Sequence, residues 1–243
     1  SLLDGASRIK ELVRRTKELG MDAVAMTDHG VMYGAVRFYK EAKAQGVHPI
    51  IGCEVYLAPG MRQERMEVDG TRYYHLILLA ENETGYRNLV ELISLANTEG
   101  YYYKPRIDKE LLRKYHEGII ALSACVAGEI PQAILRGNTQ RADELVREYV
   151  EIFGRDNFFL EIQDHGLPEE KTVNRALRDM ANRHGVGLAA TNDVHYVNAD
   201  DSEFHDILLC VQMGRTINDP DRMRFSGPDY YLKSEQEMAA LFA

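Results

Sequence analysis

The sequence predicts an α/β protein built on a parallel sheet, either doubly wound or closed as a (β/α) barrel. Short, near-continuous apolar runs alternate with segments of helical periodicity along the whole chain, as expected of strands covered on both faces by helices. The first two helical segments each end at a glycine, Gly20 and Gly46, the residue type that most readily closes a helix.

Taken in order, SRIKELVRRTKELG (7–20) sets Ile9, Leu12, Val13 and Leu19 near helical spacing, and DAVAMTD (22–28) reads as a short buried strand. A helix is expected over 33–46, a strand over 48–58 (HPIIGCEVYLA), a polar loop over 59–72, a strand over 73–80 (YYHLILLA) and a helix over 84–97. The second half repeats the pattern with a strand over 118–124, one or two helices within 128–153, a strand over 157–163 and a helix over 169–185. A strand over 186–193 and a helix over 201–214 follow; a Pro-, Gly- and Asp-rich stretch then leads to an amphipathic piece at 234–243. No tandem repeat or low-complexity segment interrupts the series.

A chain of 243 residues can bury a full core. No apolar run approaches the roughly 20 residues of a membrane helix, and the first residues, SLLDGASRIK, lack the apolar centre of a signal peptide. Cys53, Cys125 and Cys210 are odd in number and far apart, which argues against a disulfide framework and for a reducing, cytoplasmic setting. The net charge of −9 argues against a free-standing nucleic-acid binder, whose affinity comes largely from a basic surface. An anionic substrate would need local cations here, from a few Lys and Arg or from bound metal ions.

In either architecture chemistry gathers at the carboxyl ends of the strands. Asp28 and His29 end one strand, and Glu54 lies beyond the apolar start of the next. Cys125, Asp164 with His165, and Asp193 with His195 close three others. Asp193 and His195 are two apart, so on a strand they would point the same way. His75 is the exception, early in its strand. Each residue alone has an ordinary structural use as a hydrogen-bonded histidine or a buried thiol. Several such groups converging in an apolar interior would be costly without a cation. The mixture of imidazole, carboxylate and at most one thiolate suits zinc, manganese or iron rather than calcium; it lacks the paired CxxC of a structural zinc knot, and its carboxylates favour an open catalytic site.

His48, His116, His184 and His205 are read as structural. No Walker loop or GxSxG elbow is present, and Ser123 has no base nearby in the sequence. The stretch GYYYKPRID (100–108) is locally basic and aromatic. Its tyrosines and Lys104 could stack on bases and hold a phosphate, with Arg106 the preferred contact. Equally, it could be a turn whose tyrosines cover a barrel rim.

The motifs SLLDGA, MTDHG, IIGCEVY, YYHLILLAENETGYRNLVELIS, KPRID, TNDVHYV and YYLKSEQEM together resemble the PHP (polymerase and histidinol phosphatase) domain of bacterial DNA polymerase III alpha subunits. The resemblance runs over essentially the whole chain. It implies a distorted (β/α)7 TIM-like barrel with a metal cluster of up to three divalent ions at its C-terminal mouth, zinc foremost, with manganese, iron or magnesium as alternatives. Matched position by position, the implied ligands are Asp4, His29, Glu54, His75, Cys125, Asp193 and His195, with Cys125 where phosphatase relatives carry histidine. Glu54, Asp193 and His195 are the implied catalytic residues. Asp28 and Asn192 would orient ligands from behind, and His165 is a candidate for substrate contact or for the same supporting role.

The family's opening HxH would lie just before Ser1, so the resemblance implies a first strand truncated here. The barrel domain is expected over 1–214 and an extension toward polymerase domains over 215–243. The polymerase carboxylates belong to those later domains, so this stretch would not itself polymerise DNA. The implied activity is metal-dependent phosphodiester hydrolysis, foremost as a 3′→5′ exonuclease acting in DNA replication. The implied partners are the 3′ end of a primer strand, the remaining polymerase domains and other replisome subunits, with no membrane. Two other readings stand beside it: a metal-stabilised structural module without activity, and a phosphatase for small phosphoesters.

Overall fold

A computed structural model describes residues 4–242, so Ser1–Leu3, which open the SLLDGA motif, and Ala243 lie outside the described residues. The chain begins with helix α1 (Ile9–Glu18), strand β1 (Ala23–Met26), α2 (Ala35–Gln45), β2 (His48–Leu57) and β3 (Tyr74–Ala80). Next come α3 (Glu83–Thr98), the short strands β4 (Tyr101–Tyr102) and β5 (Lys104–Ile107), α4 (Lys109–Lys114) and β6 (Ile119–Leu122). The remainder comprises α5 (Glu129–Leu135), α6 (Thr139–Phe153), β7 (Phe158–Ile162), α7 (Pro168–His184), β8 (Gly187–Ala190), α8 (Ser202–Met213) and α9 (Glu235–Leu241). Local chemistry marks several boundaries. The side chains of Asn82, Asp108 and Asn138 each accept a hydrogen bond from a first-turn N–H of α3, α4 and α6. Gly46 and Gly185 close α2 and α7 with left-handed backbone.

Among the described residues eight strands join one curled sheet in the order β4-β5-β2-β3-β6-β7-β8, with β1 also on β2. β1 lies beside the first half of β2 and β5 beside its last residues. The result is an α/β fold whose sheet forms a half-barrel. The expectation of an all-parallel sheet is corrected at β3, which runs antiparallel to both β2 and β6. A parallel step needs a crossover, usually helical, whereas the chain between β2 and β3 is a helix-free loop that simply turns back. That loop contains its own turn at Asp69-Gly70, both with positive φ, closed by paired hydrogen bonds between Val68 and Thr71.

Two further expectations change. β8 ends at Ala190, so residues 191–195 are not strand, and Asp193 has a left-handed φ of 44°. The two-residue alternation invoked for Asp193 and His195 therefore does not operate there. The 100–108 stretch forms a tight hairpin, β4 against β5, turned through Tyr103.

The sheet has two faces of different character. Cys53, Val55, Leu57, Leu76, Leu78, Leu160 and Ile162 belong to a large apolar core shared with α3, α5, α6 and α7. The opposite, concave face holds a smaller cluster of Ile77, Leu122 and Ala124 with Leu79, Phe159 and Ala189. Strand alternation puts Glu54, Tyr56, His75 and Glu161 on that same concave face. The stretch after α8 folds back on the sheet edge. Tyr231 bridges Tyr196, and Asn192 Nδ2 donates to the Asp229 and Tyr231 carbonyls at 2.7 Å.

Candidate metal centre

The antiparallel run of β3 resolves the position of His75. Its register sets His75 opposite Tyr56 and Ile77 opposite Glu54. The beginning of β3 thus lies at the same end of the sheet as the close of β2, where Glu54 stands. His29 arrives just beyond β1 and forms a parallel bridge with Glu54, fixed by the Glu54 N–H to Asp28 carbonyl bond at 3.0 Å. Three segments distant in sequence therefore deliver two imidazoles and a carboxylate to one mouth.

Their geometry is crowded. Glu54 Oε1 lies 2.9 Å from His29 Nδ1 and 2.5 Å from His75 Nδ1. Yet His29 Nδ1 and Glu54 Oε1 are both buried with no hydrogen bond. On its other side His29 Nε2 is 3.0 Å from Asp4 Oδ2. One donor atom from each of Asp4, His29 and His195 falls within 4.8 Å of the others. Cys125 Sγ lies 3.8 Å from His75 Nδ1, and Asp193 Oδ1 lies 3.7 Å from His195 Nδ1.

His195 is held from several directions. Its N–H donates to the Tyr230 carbonyl, its own carbonyl accepts from the Ala6 N–H, and its ring stands edge-on to Phe225. Nδ1 is 2.7 Å from the Asp193 carbonyl, an acceptor only, so Nδ1 carries the proton and Nε2 keeps its lone pair. A second-ring hydrogen bond of this kind orients a histidine toward a metal. The residues preceding Cys125 and at Asp193 share another feature. Ala124 and Asp193 both have positive φ, 63° and 44°, a conformation that side chains adopt at a cost and that clusters at functional sites.

Electrostatics follow from burial and proximity. Burial alone would lower the His29 pKa, but Asp4 and Glu54 outweigh it and raise it to about 10. Burial would raise the Glu54 carboxyl, but His75 and His29 hold it well below the usual range. Burial pushes the Cys125 thiol and the Asp193 carboxyl up, with neighbouring carboxylates adding to both. The clustering of buried donors and their mixture of nitrogen, oxygen and sulfur fit a borderline divalent cation such as zinc, which would displace the extra proton that His29 now carries.

The other predicted residues serve elsewhere. Arg106, the preferred phosphate contact, is 1% exposed. Its guanidinium donates to the carbonyls of Gly100, Arg72, Arg62 and Glu64 at 2.8–3.2 Å. It therefore ties the 59–73 loop to β5 and has little left for a phosphate. His165 donates from both ring nitrogens, to the Glu170 carboxylate at 2.6 Å and to the Asn192 carbonyl at 3.1 Å, and stacks on Tyr230. Asn192 spends its amide on the 229–233 segment. Asp28 contributes its backbone carbonyl, which also accepts from Cys53 Sγ.

Two residues escaped the strand-tip reading. His205, on α8, donates from Nε2 to the Asp4 carbonyl at 2.6 Å and so steadies a ligand candidate. Glu161 lies on the concave face, 5% exposed, taking hydrogen bonds on Oε1 from Thr191 and Gln163 while Oε2 has none. The alternation in FFLEIQ, with Leu160 and Ile162 opposite Glu161 and Gln163, was the available signal.

The comparisons with known proteins agree on family and fold. The family model for the PHP domain matches residues 1–165. The DNA polymerase III subunit alpha of Treponema pallidum is 53% identical over 243 residues, covering 100% of this chain and 21% of that protein. The corresponding subunit of Thermus aquaticus is 49% identical over 245 residues, 99% of this chain and 20% of that protein. The chain thus spans about a fifth of the length of the curated relatives it matches. A solved structure described as a metal-dependent phosphoesterase, from Bifidobacterium adolescentis, superposes with a TM-score of 0.53 at 11% identity over 100% of this chain and 93% of that one. That likeness is one of fold.

Proposed function

The chain belongs to the PHP domain family in the form carried by DNA polymerase III alpha subunits, and from that premise we propose that its mouth hydrolyses phosphodiesters with divalent metal ions. The proposed substrate is the 3′ end of a primer strand, removed in the 3′→5′ direction during replication. The observation that carries this reading is the buried junction of His29, Glu54 and His75, where one carboxylate oxygen lies 2.5–2.9 Å from two imidazole nitrogens, beside the clustered donors of Asp4, His29 and His195.

In this proposal Asp4, His29, Glu54, His75, Cys125, Asp193 and His195 hold up to three ions, zinc foremost, at the mouth of a (β/α)7 barrel. Bound there, divalent ions supply positive charge that offsets the charge of a phosphodiester transition state and acidifies water at neutral pH. Glu54, between two imidazoles, would help hold the ions with its carboxylate charge. His195 offers Nε2 in a set tautomer, oriented by the Asp193 carbonyl. His205, Phe225 and Tyr230 close around His195 and limit water on that side. The remaining polymerase domains and other replisome subunits are the proposed partners, in the cytoplasm; no helix among the described residues is long and apolar enough to cross a membrane.

The test is digestion of 3′-mismatched primer-template by the full-length protein, with and without chelator. Loss of digestion in chelator and its return with zinc or manganese are expected. Digestion unchanged by chelator would end the nuclease proposal, and metal-dependent folding without digestion would favour a structural module.

A further inference from the structure

The edge of the metal centre nearest His75 is lined by aromatic rings and cations that the ligand set leaves unused. Tyr56 lies 6.3 Å from the His29 ring and 5.5 Å from the His75 ring. Tyr73 stacks on His75 at 6.1 Å and 7°, and meets Tyr56 edge-on at 4.9 Å. Lys104 Nζ sits 5.4 Å from the Tyr56 centroid. Among the described residues Lys104 has no ion-pair partner, although the protein is strongly acidic. Beyond it Tyr103 turns the β4–β5 hairpin with a left-handed φ of 60°, its side chain 59% exposed beneath the Arg72 guanidinium at 4.2 Å. An aromatic residue held in that conformation is a rare and costly arrangement.

A cavity of about 440 Å³ opens beside these rings, lined by Thr71, Arg72, Tyr73, Ala127 and Gln132 among others. Its size falls within the range of roughly 300–1,000 Å³ typical of small-ligand sites. It adjoins the ligand candidates directly, since the His75 N–H donates to the Ala127 carbonyl, two residues past Cys125.

We infer that Lys104, Tyr73 and Tyr103, with the adjoining cavity, form a binding lip for single-stranded polynucleotide at the edge of the metal centre, with the buried ring of Tyr56 backing the Lys104 ammonium. Lys104 takes a backbone phosphate, and Tyr73 and Tyr103 offer stacking surfaces to the last bases. This pairing of cations with sequence-tolerant aromatic stacking is the physical basis of single-strand recognition. The role expected of Arg106 passes to Lys104, two residues earlier, because the buried guanidinium is committed to four carbonyls. Lys104 also answers the charge problem, giving an acidic protein a local cation beside the carboxylates of Asp4, Glu54 and Asp193. The inference rests on the nuclease reading for its substrate, but the lip can be tested without turnover.

The experiment uses the full-length protein and a single-stranded oligodeoxynucleotide with 5-iododeoxyuridine at its two 3′-terminal positions, irradiated in chelator so that nothing is cleaved. Crosslinks to Tyr73 or Tyr103 are expected by peptide mapping. Lys104→Ala should reduce their yield at subsaturating DNA by roughly tenfold, with Lys104→Arg restoring most of it. Where metal-dependent cleavage occurs, Lys104→Ala should raise KM more than it lowers kcat. The slope of log KM against log salt should then shrink by about 0.7, one phosphate contact. Unchanged melting temperature excludes misfolding, and Lys104→Gln serves if the alanine variant is unstable. Crosslinks confined to other sites, or a yield indifferent to Lys104, would overturn the lip even if cleavage is robust. Crosslinks at the tyrosines without cleavage would retain the lip and overturn the nuclease reading.

Discussion

Glu54 and His29 face each other across 2.9 Å without a hydrogen bond, each presenting a buried atom to the other. Two such groups this close ordinarily share a proton along a straight bond. Here the same Glu54 oxygen lies 2.5 Å from His75 Nδ1, and His29 meets Asp4 at 3.0 Å through Nε2, on the far side of its ring. Without metal the carboxylates hold the His29 imidazole protonated, and a bound divalent cation would take the place of that proton.

Removing one of these donors should uncouple the protein from metal. Zinc at 1,000 times its dissociation constant should stabilise the native chain by about 4 kcal/mol. Glu54→Ala or His29→Ala should lose most of that increment, read as the zinc-dependent shift in melting temperature by calorimetry. An undiminished shift in both variants would remove these residues from the site.

How much of this was legible beforehand depended on which physical rule applied. Helix and strand positions followed from periodicity and stops, and α1, α2, β2 and β3 lie close to their expected ranges. Strand direction did not follow, because apolar runs look alike whichever way they point. The helix-free loop over 59–72 was the clue, and once β3 is reversed, His75 ceases to be an exception. Arg106 shows a different limit. A basic residue among tyrosines suggests phosphate, and nothing in its neighbours revealed that four carbonyls from separate turns would converge on it. His205 could not have been linked to Asp4 from sequence, since the two are 201 positions apart.

Arg106 is accordingly expected to matter for stability. Arg106→Ala strands four carbonyls in a buried hairpin junction and should cost on the order of 3 kcal/mol. Arg106→Lys should recover little, because one ammonium cannot reproduce the planar fork. Chemical denaturation measures both. A variant as stable as the native chain but unable to bind DNA would return Arg106 to the phosphate role.

Glu161 gives the protein a pH signature. Burial, reinforced by Asp193 and Glu54 and opposed by hydrogen bonds from Thr191 and Gln163, raises its carboxyl to about 7. Between the unfolded value of 4.5 and about 7 the folded chain retains a proton that the unfolded chain has released. Stability contributed by this group therefore falls as pH rises through that window and is lowest above it. In chelator, Glu161→Gln should exceed the native stability at pH 8 by on the order of 3 kcal/mol, with the advantage fading toward pH 4.5. Parallel pH profiles for the two proteins would show that Glu161 is not held in this way.

The central claim is that side chains from distant parts of the chain meet around divalent cations. Anomalous diffraction at the zinc edge from zinc-soaked crystals of the full-length protein tests it most directly. The expected result is at least one peak within about 2.0–2.3 Å of donor atoms of His29 or His195 together with Glu54 or Asp4. A mouth without anomalous density, its histidines and carboxylates hydrogen-bonded to one another instead, would contradict it.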